Sequence, residues 1–162
     1  MLFHRSEYLM RKFEVAKGFE NQNINLPKRS TAYSAGYDIE SAEDVIILPL
    51  KPSGNKTTMI KTGIKVQMNE GEYLAVYPRS SIGVKNLALM PNSVGIIDRD
   101  YYNNPDNDGH IMVPLINLSE NPIRIKKGDR IAQGIFHQFL TVDDEEAIDN
   151  VRSGGFGSTG VN

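Results

Sequence analysis

The chain has 162 residues, a formal net charge of −2 and no cysteine. Its length suits one domain, and its slightly negative charge argues against nucleic-acid binding, which normally requires a basic face. The absence of cysteine excludes disulfides and thiolate metal sites and permits a reducing cytosol, so we expect a cytoplasmic protein. No apolar run approaches the roughly 18 residues of a membrane helix, so we expect no membrane partner.

Short apolar or alternating segments dominate the chain, and clusters of proline, glycine and asparagine separate them. Residues 1–11 are interpreted as an N-terminal extension that precedes the first strand. The segments predicted as strands are 13–16, 45–48, 57–68 with a bend at Gly63, 72–77, 94–97, 110–118, 123–125 and 131–140. This pattern predicts an all-β sandwich or barrel over residues 12–142.

Three other segments have a different character. Residues 80–86 predict a short helical turn, and the basic residues around the predicted turn 127–129 read as a solvated face: Arg124, Lys126, Lys127 and Arg130. Residues 143–151 are acidic, and we interpret them as a linker.

Residues 152–162 form a glycine-rich tail. Its side chains are too small, and a backbone of this composition is too mobile, to build a core. Arg152 adds a fixed positive charge, and Phe156 adds a flat face that can lie on a planar ring. The tail therefore predicts a flexible lid over a ligand that is both phosphorylated and aromatic, with plain C-terminal disorder as the alternative.

Two segments carry candidate chemistry. An apolar strand stops at Asp98, where a carboxylate is well placed to hold and deprotonate a water, although Asp98 and Asp100 could also simply cap a turn. Arg79 is followed by two serines at the start of the predicted helical turn. A guanidinium, hydroxyls and free N–H groups favour a phosphate site there, with an ordinary helix cap as the alternative.

Five segments occur in the order and approximate spacing of the five motifs of the homotrimeric dUTPases. They read Ala35-Gly-Tyr-Asp38, Pro78-Arg-Ser-Ser81, Gly95-Ile-Ile-Asp-Arg-Asp-Tyr101, Gly128-Asp-Arg-Ile-Ala-Gln133 and Arg152 to Gly160. The chain resembles this family over roughly residues 12–160. The resemblance implies a jelly-roll-like β fold, a homotrimer with active sites at subunit junctions, and hydrolysis of dUTP to dUMP and pyrophosphate. Such a reaction limits dUTP and supplies dUMP for thymidylate synthesis.

The resemblance also implies roles at the nucleoside. Asp98 would activate the water that attacks the α-phosphorus and would contact the deoxyribose 3′-OH. Tyr101 would pack under the deoxyribose and leave no space for a 2′-OH. A tight hairpin would read uracil through Asn92 and the main chain at Gly95, Ile96, Ile97 and Met112.

Further roles are implied at the phosphates and the metal. Asp38 would hold water molecules on a Mg²⁺ ion carried by the triphosphate, so no protein cage of metal ligands is needed. Phe156 would stack on uracil. The remaining residues implied to bind substrate are Arg79, Ser80, Ser81, Gln133, Arg152, Gly157, Ser158 and Thr159.

Three departures from the family pattern stand out. Ser81 occupies a position that is usually glycine. The loop 102–109 is longer than the usual Tyr-x-Gly continuation, so the matching glycine is ambiguous. Three residues separate Arg152 from Phe156, where four are common.

Two alternatives remain open on the sequence. A dCTP deaminase shares the fold but carries a glutamate on the strand after the third motif, whereas residues 111–117 contain no carboxylate. A trimeric nucleotide-binding module with a regulatory role is the other alternative. In that case the loop 102–109 or residues 1–9 would contact an unidentified protein partner.

Overall fold

The computed structural model describes residues 10–51, 54, 56–146 and 148. Over these residues the chain forms twelve strands and two short helical turns, a π-type turn at Ser81–Lys85 and a 3₁₀ turn at Arg99–Tyr101. The strands are β1 (Lys12–Val15), β2 (Lys28–Arg29), β3 (Tyr37–Glu40), β4 (Val45–Ile47), β5 (Thr58–Lys61), β6 (Ile64–Gln67), β7 (Glu72–Pro78), β8 (Ala88–Leu89), β9 (Gly95–Asp98), β10 (Met112–Asn117), β11 (Ile123–Ile125) and β12 (Arg130–Gln138). None of the helical segments in this part of the chain is long and apolar enough to cross a membrane.

The strands assemble into four antiparallel sheets. Their orders are β1–β6, β5–β10–β8, β11–β4 and β2–β3–β12–β7–β9. The predicted all-β architecture and the helical turn within 80–86 are confirmed. The predicted bend at Gly63, whose φ is +70°, separates β5 from β6.

The sheets enclose one apolar core. Along β6 the side chains of Ile64 and Val66 are buried, and the alternate residues Lys65 and Gln67 are partly exposed. This is the two-residue period of a strand with one buried face. Each fully buried isoleucine contributes about 2 kcal/mol through the apolar area that it removes from water. The largest fully buried apolar side chains are Ile39, Ile47, Ile60, Ile64, Leu74, Ile111, Leu115 and Ile131.

Residues at the end of the predicted N-terminal extension contact the domain. The main-chain N–H of Met10 donates to Asn69 Oδ1 at 2.8 Å, and Arg11 Nε donates to both oxygens of Glu72 at 2.9 and 2.8 Å. Burial alone would raise the pKa of Glu72, but hydrogen bonds from Arg11 and Asn69 outweigh it, and the pKa lies below its usual value. Residues 1–9 lie outside the described residues, and the boundary of the extension stays a prediction.

His110 is buried beside the segment that precedes β6. Its Nε2 accepts the main-chain N–H of Gly63 at 3.0 Å, and its ring lies 4.6 Å from the ring of Phe19. Burial, with a smaller effect from the charge of Lys61, lowers the pKa of His110 from 6.5 to about 4. The histidine is therefore neutral in the folded protein at neutral pH.

This lowered pKa predicts an acid-sensitive fold. A group whose pKa is lower in the folded state contributes stability that is fully present above its unfolded pKa. That stability is lost as pH falls through the window from 6.5 towards the folded pKa of about 4. We expect His110 alone to reduce the free energy of unfolding by about 2 kcal/mol between pH 7 and pH 5.

Urea unfolding at fixed protein concentration measures this difference. His110→Gln keeps an acceptor for the Gly63 N–H but cannot titrate, so its loss of stability between pH 7 and pH 5 should be clearly smaller. Equal losses in the two proteins would contradict the assignment.

Candidate active site

The candidate site residues lie on one face of the five-stranded sheet. The register places Asp38 of β3 opposite Gln133 of β12, and Gln133 opposite Tyr77 of β7. It also places Tyr73 of β7 opposite Asp98 of β9. Directly opposed residues share a face, and so do residues four apart in one strand. Asp38, Gln133 and Asp98 therefore point to the same side of the sheet.

A cluster of charged groups surrounds Asp38 at one corner of this face. Arg79, which directly follows β7, places Nε 3.0 Å from Asp38 Oδ1, and Arg130 places Nη1 3.1 Å from Oδ2. The Ser30 hydroxyl donates to the same Oδ2. Two guanidinium groups thus share one carboxylate, which leaves an excess positive charge that suits an anionic ligand.

Arg130 is the residue of this corner whose role the sequence prediction missed. The predicted turn beside it is confirmed, because Asp129 N donates to Lys126 O at 2.9 Å and Gly128 has a φ of +87°. Arg130 is exposed, in keeping with the predicted solvated face, and its guanidinium is also paired with Asp38. Its position within the fourth motif was the signal that could have identified it.

A short helical turn directly follows Arg79. The N–H groups of Ile82 and Gly83 donate to Arg79 O at 3.0 and 3.1 Å. In the described residues the Ser80 side chain makes no capping hydrogen bond, which disfavours the ordinary helix cap. Ser81 is not among the residues with positive φ, so a serine is accommodated where glycine is usual.

Gln133 lies across the first motif because Gly36 has no side chain. A Cβ at Gly36 would overlap Gln133 Oε1 and would lie only 3.2 Å from Gln133 Cβ. The glycine of the first motif thus makes room for the glutamine of the fourth.

The residues that are expected to contact the nucleoside lie at a second corner. Gly95 and Ile97 of β9 are buried, whereas Ile96 is 54% exposed and Asp98 is half-buried. Tyr101 follows in the 3₁₀ turn and is only 4% exposed. Its hydroxyl donates to His110 O at 2.9 Å and accepts from Asn107 Nδ2 at 2.7 Å.

The segments expected to read uracil do not form a regular hairpin. Asn92 is exposed in a tight turn, where Ser93 N donates to Met90 O at 2.9 Å. However, β9 pairs with β7 in the five-stranded sheet, whereas β10, which begins at Met112, pairs with β5 and β8. β9 and β10 thus belong to different sheets, with the loop 102–109 between them, and the reading of uracil by a tight hairpin stays a prediction.

The two corners are far apart within one subunit. Asp38 is aligned with Tyr77 across the sheet, whereas Asp98 is aligned with Tyr73, which is four residues earlier in β7. Asp98 and Asp38 are also three strands apart, because β12 and β7 lie between β3 and β9. These offsets correspond to about 13 Å along the strands and about 14 Å across them, hence roughly 20 Å between the two residues. One α-phosphate cannot contact both corners of the same subunit.

The remaining predicted site residues lie outside the described residues. They are the tail residues Arg152, Phe156, Gly157, Ser158 and Thr159. Most of the predicted linker is described, up to residue 146, and residue 148 is described as well. Over the described part of the chain, no group of three or more histidine, aspartate or glutamate side chains could hold a metal ion.

Comparisons with known proteins agree with the arrangement of the strands and motifs. The dUTPase family model matches residues 22–160. The chain is 48% identical over 153 residues to the deoxyuridine 5′-triphosphate nucleotidohydrolase of Lactococcus lactis subsp. lactis, covering 94% of this chain and 99% of the relative. It is 40% identical to a dUTPase from Streptococcus mutans, whose crystal structure superimposes with a TM-score of 0.73 over 81% of this chain and 98% of the other.

A more distant structure shares the fold. A dUTPase variant from phage phi11 of S. aureus, described with the coordination of a structural Mg(II) ion, matches with a TM-score of 0.65 at 20% identity over 87% of this chain and 97% of its own. The fold and these similarities define an all-β, jelly-roll-like protein of the nucleotidohydrolase class. The chain belongs to the dUTPase family, which confirms the predicted resemblance.

The packing of Gly36 against Gln133 can be tested directly. Gly36→Ala should displace Gln133 and lower the free energy of unfolding by about 1–3 kcal/mol, the usual cost of overpacking. Gly54→Ala is the matched control, because an added Cβ there meets nothing within 4 Å. Urea unfolding and a crystal structure of each variant give the measurement. Equal stabilities, with Gln133 unmoved, would contradict the assignment.

Proposed function

We propose that this protein hydrolyses dUTP to dUMP and pyrophosphate by in-line attack of water on the α-phosphorus. The match of the dUTPase family to residues 22–160 carries this conclusion. The dCTP deaminase alternative is not favoured, since β10, Met112–Asn117, contains no glutamate or aspartate. The predicted cytoplasmic location stays a prediction.

Asp98 is assigned as the general base. It ends β9 between buried residues and a 3₁₀ turn, so its carboxylate is held by the strand rather than by a loose loop. The carboxylate accepts a proton from the attacking water as the oxygen–phosphorus bond forms, and the bond to the departing pyrophosphate breaks on the opposite side. General-base catalysis of this kind contributes about 10²–10⁴-fold in rate.

Arg79 and its neighbours are assigned to the phosphates. The Arg79 guanidinium and the hydroxyls of Ser80 and Ser81 lie at the start of the helical turn, where they can neutralise charge on the triphosphate. Gln133 lies on the same face, one strand away from Asp38. The tail from Arg152 to Thr159 is proposed to close over uracil and the phosphates.

The residues present fit a Mg²⁺ ion that arrives with the substrate. The Asp38 side chain is 14% exposed, and both of its oxygens already contact side chains, which suits acceptance of hydrogen bonds from metal-bound water rather than direct ligation. When bound, the ion would neutralise negative charge on the phosphates.

A homotrimer would bring the two corners together. They lie roughly 20 Å apart in one subunit but on the same face of the sheet. That face also carries Ile96, which is 54% exposed, and a stacked pair of Tyr73 and His137 with ring centroids 5.3 Å apart. A second copy seated on this face would bury these groups and place its phosphate corner beside Asp98.

Replacement of Asp98 tests the proposed base. Asp98→Asn should lower kcat for dUTP by at least about 100-fold, because an amide cannot accept the proton from water. Its affinity for a non-hydrolysable dUTP analogue should stay within a few-fold of wild type. The matched variant Asp100→Asn alters the other carboxylate of the motif and should keep most of the activity.

Pyrophosphate release with Mg²⁺ is the assay, and the wild-type protein is also assayed with dCTP, dTTP and UTP. Turnover of dCTP comparable to dUTP, or no turnover of dUTP, would overturn the proposed function. Loss of both turnover and analogue binding in Asp98→Asn would show that Asp98 is structural.

Mixing two inactive variants tests the shared site. Asp98→Asn and Arg79→Gln chains should each be nearly inactive alone. When they are unfolded together in equal amounts and refolded, about one quarter of the subunit junctions should combine two intact corners and recover activity. The same variants mixed after folding are the control. No recovery above this control would show that both corners of a site come from one chain.

A further inference from the structure

The loop 102–109 encloses Tyr101 on its hydroxyl side. The Tyr101 hydroxyl has one hydrogen, and it donates this hydrogen to His110 O at 2.9 Å. The oxygen also accepts the amide N–H of Asn107 at 2.7 Å. Both the donor and an acceptor of the phenol are thus used, and the ring is held at its far end as well as at its backbone.

The side chain of Asn107 can take only one orientation here. Its Oδ1 accepts the main-chain N–H of Gly109 at 3.1 Å and the amide of Asn104 at 2.8 Å. Its Nδ2 must therefore face the Tyr101 hydroxyl, where a donor is needed. The Asn107 side chain thus joins Asn104 and Gly109 to the hydroxyl of Tyr101.

Asn104 holds the same loop to the main chain of Tyr101. This side chain is buried, its Nδ2 donates to Tyr101 O at 2.8 Å, and its Oδ1 accepts the N–H groups of Asp106 and Asn107, both at 3.1 Å. A Cβ at Gly109 would lie only 2.7 Å from Tyr101 O, so the chain returns in direct contact with this residue. Gly109, with a φ of +80°, therefore ends the loop at a point where a side chain would not fit.

The outer side of the loop is fixed to β1 and β6. Lys65 Nζ donates to Asn103 Oδ1 at 2.6 Å and to Asp108 Oδ2 at 2.8 Å. The hydroxyl of Tyr102 donates to Glu14. These contacts hold the outer side of the loop to the domain and do not involve Tyr101.

We propose that Asn107 is a positioning residue for the discrimination between deoxyribose and ribose. Asn107 holds the Tyr101 ring in the space that a 2′-OH would need. This inference rests on the proposed function and deepens it. A ribonucleotide can enter only if the ring moves, and movement breaks the hydrogen bonds to Asn107 and His110. The lengthened loop thereby makes the ring more resistant to displacement.

Removal of this contact should relax selection against UTP. Asn107→Ala should lower the ratio of kcat/KM for dUTP to kcat/KM for UTP by about tenfold, the effect expected for one buried hydrogen bond. Asn107→Asp keeps the acceptor for Gly109 N–H but loses the donor, and it should relax the ratio in the same direction. Lys65→Met loosens the outer side of the loop without touching Tyr101, and it should leave the ratio unchanged.

A double-mutant cycle with Tyr101→Phe separates positioning from general loosening. In the Tyr101→Phe protein, which has no hydroxyl, Asn107→Ala should produce no further change in the ratio. A full additional effect in that background would overturn the proposal. An unchanged ratio in Asn107→Ala would also overturn the proposal. An equal decrease of the ratio in Lys65→Met would overturn it as well.

Binding provides a readout that does not depend on hydrolysis. The affinities of a non-hydrolysable dUTP analogue and of its ribose counterpart are measured by titration for wild type and Asn107→Ala. A narrower difference between them in the variant supports the proposal even if wild-type protein fails to hydrolyse dUTP. An unchanged difference overturns it even if dUTP is hydrolysed normally.

Discussion

The antiparallel register of β3, β12, β7 and β9 is the constraint on which the candidate site depends. Because opposed residues share a face, this register places Asp38, Gln133 and Asp98 on one side of the sheet. A slip of one residue in β12 would turn Gln133 into the core and expose Gly134, whose missing side chain now allows close packing against Leu74. The alternation of core-facing and outward-facing side chains along these strands therefore determines the position of the site residues as well as the stability of the fold.

The same register separates the phosphate and nucleoside corners by roughly 20 Å in one subunit. The proposed reaction requires a base and a phosphate clamp together, and in the proposed homotrimer the two would come from different copies of the chain. Asp38 pairs with both Arg79 and Arg130 and holds these side chains in place while leaving one positive charge in excess.

The loop 102–109 shows how a departure from a family pattern is accommodated. The additional residues are mostly asparagine and aspartate, whose short side chains hydrogen-bond to nearby main chain and tolerate left-handed conformations. Asn103 and Asp108 have φ values of +56° and +60°, and Asn104 is buried with its amide satisfied. An insertion of this composition can fold back on Tyr101 instead of extending into solvent.

Local patterns in the sequence determined the all-β class, most of the strands, the helical turn near Ser81 and the choice of candidate site residues. These features follow from two-residue alternation, from glycine and proline breaks and from five ordered motifs. The two-residue strands β2 and β8 were not predicted, because they are too short for a periodic signal. The four-residue strand β3 was not predicted either, because Ile39 is its only buried residue. Only the tertiary structure decided that β12 lies between β3 and β7, that Arg130 pairs with Asp38 across 92 positions, and that the loop 102–109 holds Tyr101. These contacts join residues that are distant in the chain or that depend on where a loop packs, and local periodicity carries no information about either.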